Sequence, residues 1–301
     1  FLADSIVRDF EYLRLTEFGG VRWTTLGQSY GGFLTLCNLS TFPDGVVAAF
    51  TCGGIPHVPA DASEVYAHTF PRMAAKTRAY YDRYPDDRRR VSLLAQRLAT
   101  SQETLPDGSP FSVRRLQICG GRLGMKPCPE ELHNLFDLAF ADGDGSVEDA
   151  LAAAHGNPSQ IALFEGFKQE VLDLTGSATN PLYWTLQEFI YADGELDRPI
   201  RWAAAREAAS HPEFAPEAQP LLFFAEAMFP WMFDEDPALK PFKPAMDVLM
   251  EDTSFGKLYD EERLAANKVP LQAAVYFDDA YVDSGLQLDT LSRVGSSHAW
   301  V

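Results

Sequence analysis

The chain has 301 residues, enough for one large domain or two smaller ones, and its 46% hydrophobic and 23% charged composition is that of a globular protein rather than a disordered one. A formal charge of −18 repels phosphate backbones and anionic lipid, which argues against nucleic acid and membrane surfaces as partners. No apolar run approaches the length of a transmembrane helix, and Phe1-Leu2-Ala3-Asp4 has neither the basic nor the apolar region of a secretory signal.

Residues 4–15 have the pattern of an amphipathic helix with Asp4 as N-cap. A strand is expected at 21–27, a helix at 30–41 and a strand at 46–52, with Phe42-Pro43-Asp44-Gly45 as the intervening turn. That alternation predicts an α/β fold with a mostly parallel sheet flanked by helices. The strand pattern then disappears. Helical periods follow at 61–84, 87–101, 128–139, 146–153, 158–174, 180–192, 199–210, 217–229 and 241–251, punctuated by Pro and Gly. A strand returns over 270–277, a helix follows at 284–294, and His298-Ala299-Trp300-Val301 begins another strand. The expected organisation is an α/β core in two parts, 1–57 and 266–301, interrupted by a helical cap at 58–265. Both ends read as cuts through a larger fold.

Gly27-Gln28-Ser29-Tyr30-Gly31-Gly32 is the segment richest in chemical meaning. A bare G-x-S-x-G match is weak. A strand before it and a helix after it turn it into a nucleophile elbow, in which the serine sits on a sharp turn and projects over the sheet edge. The glycines let helix and strand approach closely, and the N–H of Tyr30 is placed to donate to an oxyanion. A serine nucleophile needs a base, and the base a carboxylate, in the chain order Ser, acid, His. Asp278 and Asp279 stand where the acid belongs, at the end of the late strand. Adjacent strand residues face opposite ways, so one of the two can turn toward Ser29. Asp279, three residues after Tyr276, is preferred, and Asp278 is the alternative.

Of the six histidines, His57, His68, His133, His155 and His211 precede the acid, and His298 follows it before the next strand. The base is therefore expected just beyond Val301. Glu188 and Glu226 lie among aromatic and apolar neighbours, where a lone charge is costly unless paired. They suit a cationic ligand, or equally the wet side of an amphipathic helix. Cys37, Cys52, Cys119 and Cys128 have neither metal-site nor disulfide-framework spacing, Cys37 and Cys52 reading as small buried hydrophobes, and cytoplasm is the expected compartment. Asp142-Gly143-Asp144-Gly145-Ser146 is not a calcium loop, since Val147 and Ala153 stand where Gly and Glu are needed. No metal site and no cofactor are expected.

The elbow, together with Ala3-Asp4-Ser5-Ile6-Val7-Arg8-Asp9, Thr51-Cys52-Gly53-Gly54-Ile55-Pro56, Pro230-Trp231-Met232-Phe233 and Val275-Tyr276-Phe277-Asp278-Asp279-Ala280-Tyr281-Val282, resembles the proline iminopeptidases, in their longer bacterial branch. The resemblance runs over essentially all of the chain. It implies an α/β-hydrolase fold and a serine exopeptidase that releases N-terminal proline from peptides, with Ser29 as nucleophile, Asp279 as acid, and Glu188 and Glu226 holding the substrate's free amine. It also implies that the family's His-Gly-Gly-Pro-Gly oxyanion loop and catalytic histidine fall outside these 301 residues, which alone would then be inactive. Gln187 and Ala225 depart from the His and Gly common before the two glutamates. Other capped hydrolases acting on esters or amides, and a non-catalytic binding protein of the same fold, are the rival readings.

Overall fold

The computed structural model describes residues 2–140 and 146–301. In chain order the elements begin with α1 (Ala3–Thr16), β1 (Trp23–Gln28), α2 (Tyr30–Thr41) and β2 (Val46–Cys52). There follow α3 (Ala62–Arg83), α4 (Pro85–Ala99), α5 (Val113–Ile118), α6 (Cys128–Asp137), α7 (Val147–Ala153) and α8 (Glu165–Thr175). After them come α9 (Pro181–Leu186), α10 (Ala203–Ser210), α11 (Met232–Glu235), α12 (Lys243–Leu249) and α13 (Glu261–Ala265). The chain closes with β3 (Leu271–Ala274), α14 (Ser284–Ser292) and β4 (Ser297–Trp300). It packs as two compact units, one of Phe1–Thr69, Leu186–Ala203 and Asp247–Val301, the other of Phe70–Thr185 and Ala204–Met246.

The first unit is built on a four-stranded parallel sheet in the order β1-β2-β3-β4. Gln28 aligns with Cys52, Cys52 with Ala274 and Ala274 with Trp300, so every strand ends on the same side. Ala3, Val7, Leu36, Leu39, Ala49, Leu264, Leu271 and Leu291 belong to one buried cluster, which packs α1, α2, α13 and α14 against the sheet. Burying such side chains is the main force holding the layers together. On the other face Leu26, Phe50 and Trp300 remain exposed. The helix at the start of the chain is capped by Leu2, not by Asp4, which falls inside the first turn and pairs with Arg8 at 3.6 Å. A carboxylate there still suits the positive end of the helix dipole. The strand expected to reach 277 stops at Ala274, because Tyr276 to Asp279 fold into a turn closed by the Asp279 N–H on the Tyr276 carbonyl at 3.3 Å.

Residues 58–69, 186–203 and 247–265 were expected in the helical insertion, yet they pack with the sheet. Directed hydrogen bonds tie them there. Asp193 accepts from the Tyr259 N–H at 3.3 Å, and the Asp260 N–H donates to the Ser40 hydroxyl at 2.7 Å.

The second unit is helical, around a core that includes Leu94, Leu116, Phe136, Phe167 and Phe223. Three expected helices differ. The pattern at 158–174 divides into a 3-10 turn at Pro158–Gln160 and then α8, because Leu163 bridges to Phe140 in between. The run 180–192 tightens after α9 into a 3-10 turn at Gln187–Tyr191. The run 217–229 is not helical. Its residues Leu221–Ala225 are all buried, so no wet face exists, and their backbone bonds to other segments: Phe223 N–H to the Thr77 hydroxyl, Phe224 N–H to the Gln117 carbonyl, and the Leu222 carbonyl to the Gln117 side chain. The helix α5, unexpected from the sequence, is capped by Ser112, which accepts from the Arg115 N–H at 3.2 Å.

Arg88 and Arg89 are exposed, whereas Arg90 bridges the buried Asp87 and Asp137. Asp142-Gly143-Asp144-Gly145 lies outside the described residues, and Ser146 caps α7 by accepting from the Asp149 N–H. Cys37, Cys119 and Cys128 are buried, but Cys52 is only half-buried, because it sits at the end of β2 in register with Gln28 and Ala274. All four thiols are free. Among the described residues no helix is long and apolar enough to cross a membrane, and no three His, Cys, Asp or Glu side chains could hold a metal ion.

Candidate active site

Ser29 sits between β1 and α2 with φ of 51° and ψ of −124°. A non-glycine residue at that φ is strained, and the surroundings hold it there. Its N–H donates to the Cys52 carbonyl at 3.0 Å, and its carbonyl accepts from the Gly32 N–H at 2.8 Å. The glycines act as expected. A β-carbon on Gly27 would sit 2.7 Å from the Gly32 nitrogen, and one on Gly32 would sit 3.0 Å from the Gly54 Cα. The Ser29 side chain is exposed over the strand ends. Tyr30 opens α2, so its N–H has no acceptor within the helix and is free to serve an oxyanion. Its phenol packs edge-on to Phe33, and burial pushes that hydroxyl up to about 12, so it stays neutral near pH 7.

The turn after β3 separates the two aspartates by burial: Asp278 is exposed and Asp279 only 7% exposed. Asp279 Oδ1 accepts from the N–H groups of Tyr281 at 2.8 Å and Val282 at 3.1 Å. Oδ2 faces Gly53, whose imagined β-carbon would be 3.5 Å away. Gly53 has φ of +53° and lies under the Tyr276 ring, which would stand 2.7 Å from any β-carbon there. Gly54, the next residue, packs on the backbone of Ser29. The Gly53-Gly54 turn therefore has the serine against one residue and the carboxylate against the other.

Glu188 belongs to the sheet unit and is 1% exposed, on no wet helix face. Its Oε2 accepts from the Ala203 N–H at 2.9 Å, at the start of α10, where the helix dipole favours negative charge. Glu226 belongs to the helical unit, in irregular chain, and its Oε1 accepts from the Tyr183 hydroxyl at 2.6 Å. The histidines have other neighbours: His57 lies against Glu64 and Asp289, His68 against Asp283, His133 against Asp87, and His211 against Glu207 and Glu213. His298 stands on β4 with its ring edge-on to Trp300, and His155 lies in the turn after α7.

Sequence reasoning did not single out Gln287. It is fully buried on α14, and its side chain accepts from the Ile55 N–H at 3.1 Å and donates to the Val282 carbonyl at 2.8 Å. A polar residue one turn from Thr290 and Leu291, on what becomes the buried face of α14, was the signal available.

A strained serine on a strand–turn–helix, with an N–H donor beside it and a buried carboxylate at the end of the next strand but one, supplies part of what acyl transfer by a serine nucleophile needs. Comparison with known proteins agrees. The family model for the alpha/beta hydrolase fold matches residues 1–117. The chain is 36% identical over 302 positions to a proline iminopeptidase of Aeromonas sobria, an alignment covering all of this chain and 66% of that protein. It is 29% identical over 304 positions to the proline iminopeptidase aneH of Aspergillus aculeatus, covering 98% of this chain and 63% of that one. The chain thus spans about two thirds of the length of the curated relatives it matches. By its parallel sheet, its elbow and these relatives, the chain belongs to the α/β-hydrolase superfamily and is a homologue of the proline iminopeptidases.

Proposed function

We propose that the protein is a serine aminopeptidase that removes proline from the N-terminus of peptides. The observation that carries this reading is the pairing of Ser29, strained and exposed at the end of β1, with the buried Asp279 across the Gly53-Gly54 turn. Ser29 Oγ attacks the carbonyl of the terminal proline, and the Tyr30 N–H supports the developing oxyanion. A histidine takes the serine proton and returns it to the departing amine, with Asp279 holding its tautomer. The reading assigns that base, and the second oxyanion donor, to none of the six histidines or other residues described here. Water then releases proline from the acyl-enzyme.

Glu188 and Glu226 are assigned to the substrate's ammonium group. Resemblance supports both, and chemistry explains the choice: carboxylates, Glu188 buried and Glu226 half-buried, reward a substrate with a terminal charge, which excludes internal peptide bonds. The helical unit acts as the cap. Cytoplasm is the proposed compartment, in keeping with four free thiols.

The test is hydrolysis of proline naphthylamide by the full-length protein, lost in Ser29→Ala. Proline amide should be cleaved and its N-acetyl form refused, with the distinction weakened in Glu226→Gln. Equal cleavage of both by the parent protein would favour an esterase or amidase, and no cleavage of either a binding protein.

A further inference from the structure

We propose that Gln287 is a positioning residue that sets the acid of the catalytic machinery against the nucleophile turn, an inference that rests on the serine-hydrolase reading above. The path consists of named bonds. Gly54 packs on the Ser29 backbone, and the next residue, Ile55, donates its N–H to Gln287 Oε1 at 3.1 Å. Gln287 Nε2 donates to the Val282 carbonyl at 2.8 Å, and the N–H of the same Val282 donates to Asp279 Oδ1 at 3.1 Å. One amide thus joins the segment leaving β2 to the loop that carries the acid, although 232 residues separate Ile55 and Gln287. Gln287 is 0% exposed, so water cannot replace either bond when it is changed.

The amide is chemically specific. It must accept at one end and donate at the other, which Glu cannot do when ionised and Met cannot do at all. A second strut from the same helix lacks this link: Thr290 accepts from the Val58 N–H at 3.1 Å, and neither residue bonds the Asp279 carboxylate in the path just described. Thr290 thus provides a control for general loosening of α14.

The experiment uses the full-length protein and two readouts, steady-state hydrolysis of proline naphthylamide and the rate at which a fluorophosphonate labels Ser29. Gln287→Met should lower kcat and the labelling rate by about tenfold or more, with KM changed less than threefold, since ångström-scale misplacement of a catalytic group has effects of that order. Thr290→Val should lower the melting temperature comparably and leave kcat and labelling within twofold. In an Asp279→Asn background, Gln287→Met should cost almost nothing further, because both act through one group. Additive losses in the double variant, or equal kcat losses from Gln287→Met and Thr290→Val, would overturn the inference while leaving the hydrolase reading intact. A parent protein whose Ser29 is neither labelled nor active overturns the hydrolase reading, and this inference with it. Should Gln287→Met fail to fold, Gln287→Glu, compared at low and neutral pH, keeps the test open: protonation restores a donor, and labelling should recover on acidification relative to the parent.

Discussion

A β-carbon on Gly54 would stand 2.9 Å from the Cα of Ser29 and overlap the serine carbonyl. The two backbones touch because neither Gly32 nor Gly54 has a side chain to keep them apart. Gly54→Ala must therefore move the elbow or the turn after β2. Overpacking of this kind costs about 1–3 kcal/mol. The expected outcome is a lower denaturation midpoint together with a loss of Ser29 labelling larger than the loss of stability explains.

Ser29 itself stores strain. A residue in this region of backbone space costs about 1–3 kcal/mol, and glycine avoids most of it. Ser29→Gly should abolish hydrolysis and fluorophosphonate labelling yet raise the unfolding free energy in urea. A destabilised Ser29→Gly protein would show that the serine side chain, not the turn, is under constraint.

Asp279 accepts two backbone N–H groups through Oδ1, and its Oδ2 lies toward Gly53, the oxygen that the proposed reading pairs with a catalytic histidine. Asp279→Asn preserves volume but offers that histidine an amide in place of an acceptor. A fall of about 10³–10⁴ in kcat, with the fold retained by circular dichroism, is expected for the loss of a triad acid. The same substitution at the exposed Asp278 should change kcat less than twofold.

Burial raises the thiol of Cys37 from its ordinary value of 9.0 to about 11, and that of Cys119 to about 12. In the folded chain these groups stay protonated while an unfolded chain would release the proton near pH 9. Their contribution to stability is complete below pH 9 and is lost as pH rises through 11 to 12. The two-unit rise at Cys37 corresponds to something on the order of 2–3 kcal/mol. Urea unfolding followed from pH 8 to pH 11 should show a decline that is shallower in Cys37→Ala.

The legible parts of the fold were those with a strong local rule. The helix from Tyr30 to Thr41 and the strand from Val46 to Cys52 appear where the pattern placed them, because glycines and Pro43-Asp44-Gly45 mark their ends. The failures came where tertiary partners outvote local preference. The run 217–229 was read as a helical period, but Leu221–Ala225 is buried all round, and Gln117 and Thr77, more than 100 residues away, satisfy its backbone. Asp4 resembled a cap, and the helix began two residues too early for it to act as one. At the candidate site the serine turn was legible because a motif encodes it. Asp279 was preferred over Asp278 from its spacing to Tyr276, and a turn closed by the Tyr276 carbonyl puts Asp279 inside. Gln287 was legible only as a polar residue on the buried face of a helix; its partner Ile55, 232 residues away, leaves no local sign.

The alignment of Ala49 with Leu271 also governs the order in which the molecule can be made. During synthesis β1 and β2 emerge before the helical unit, yet β3, which flanks β2, is translated more than 200 residues later. Segments forming the helical unit are complete at Met246, before β3 exists. Pairings of such long range are slow to form, and half-built sheets expose sticky edges in the meantime. The helical unit has the time to fold first, so the nascent sheet, waiting for β3 and β4, is the stage at which chaperones would matter most.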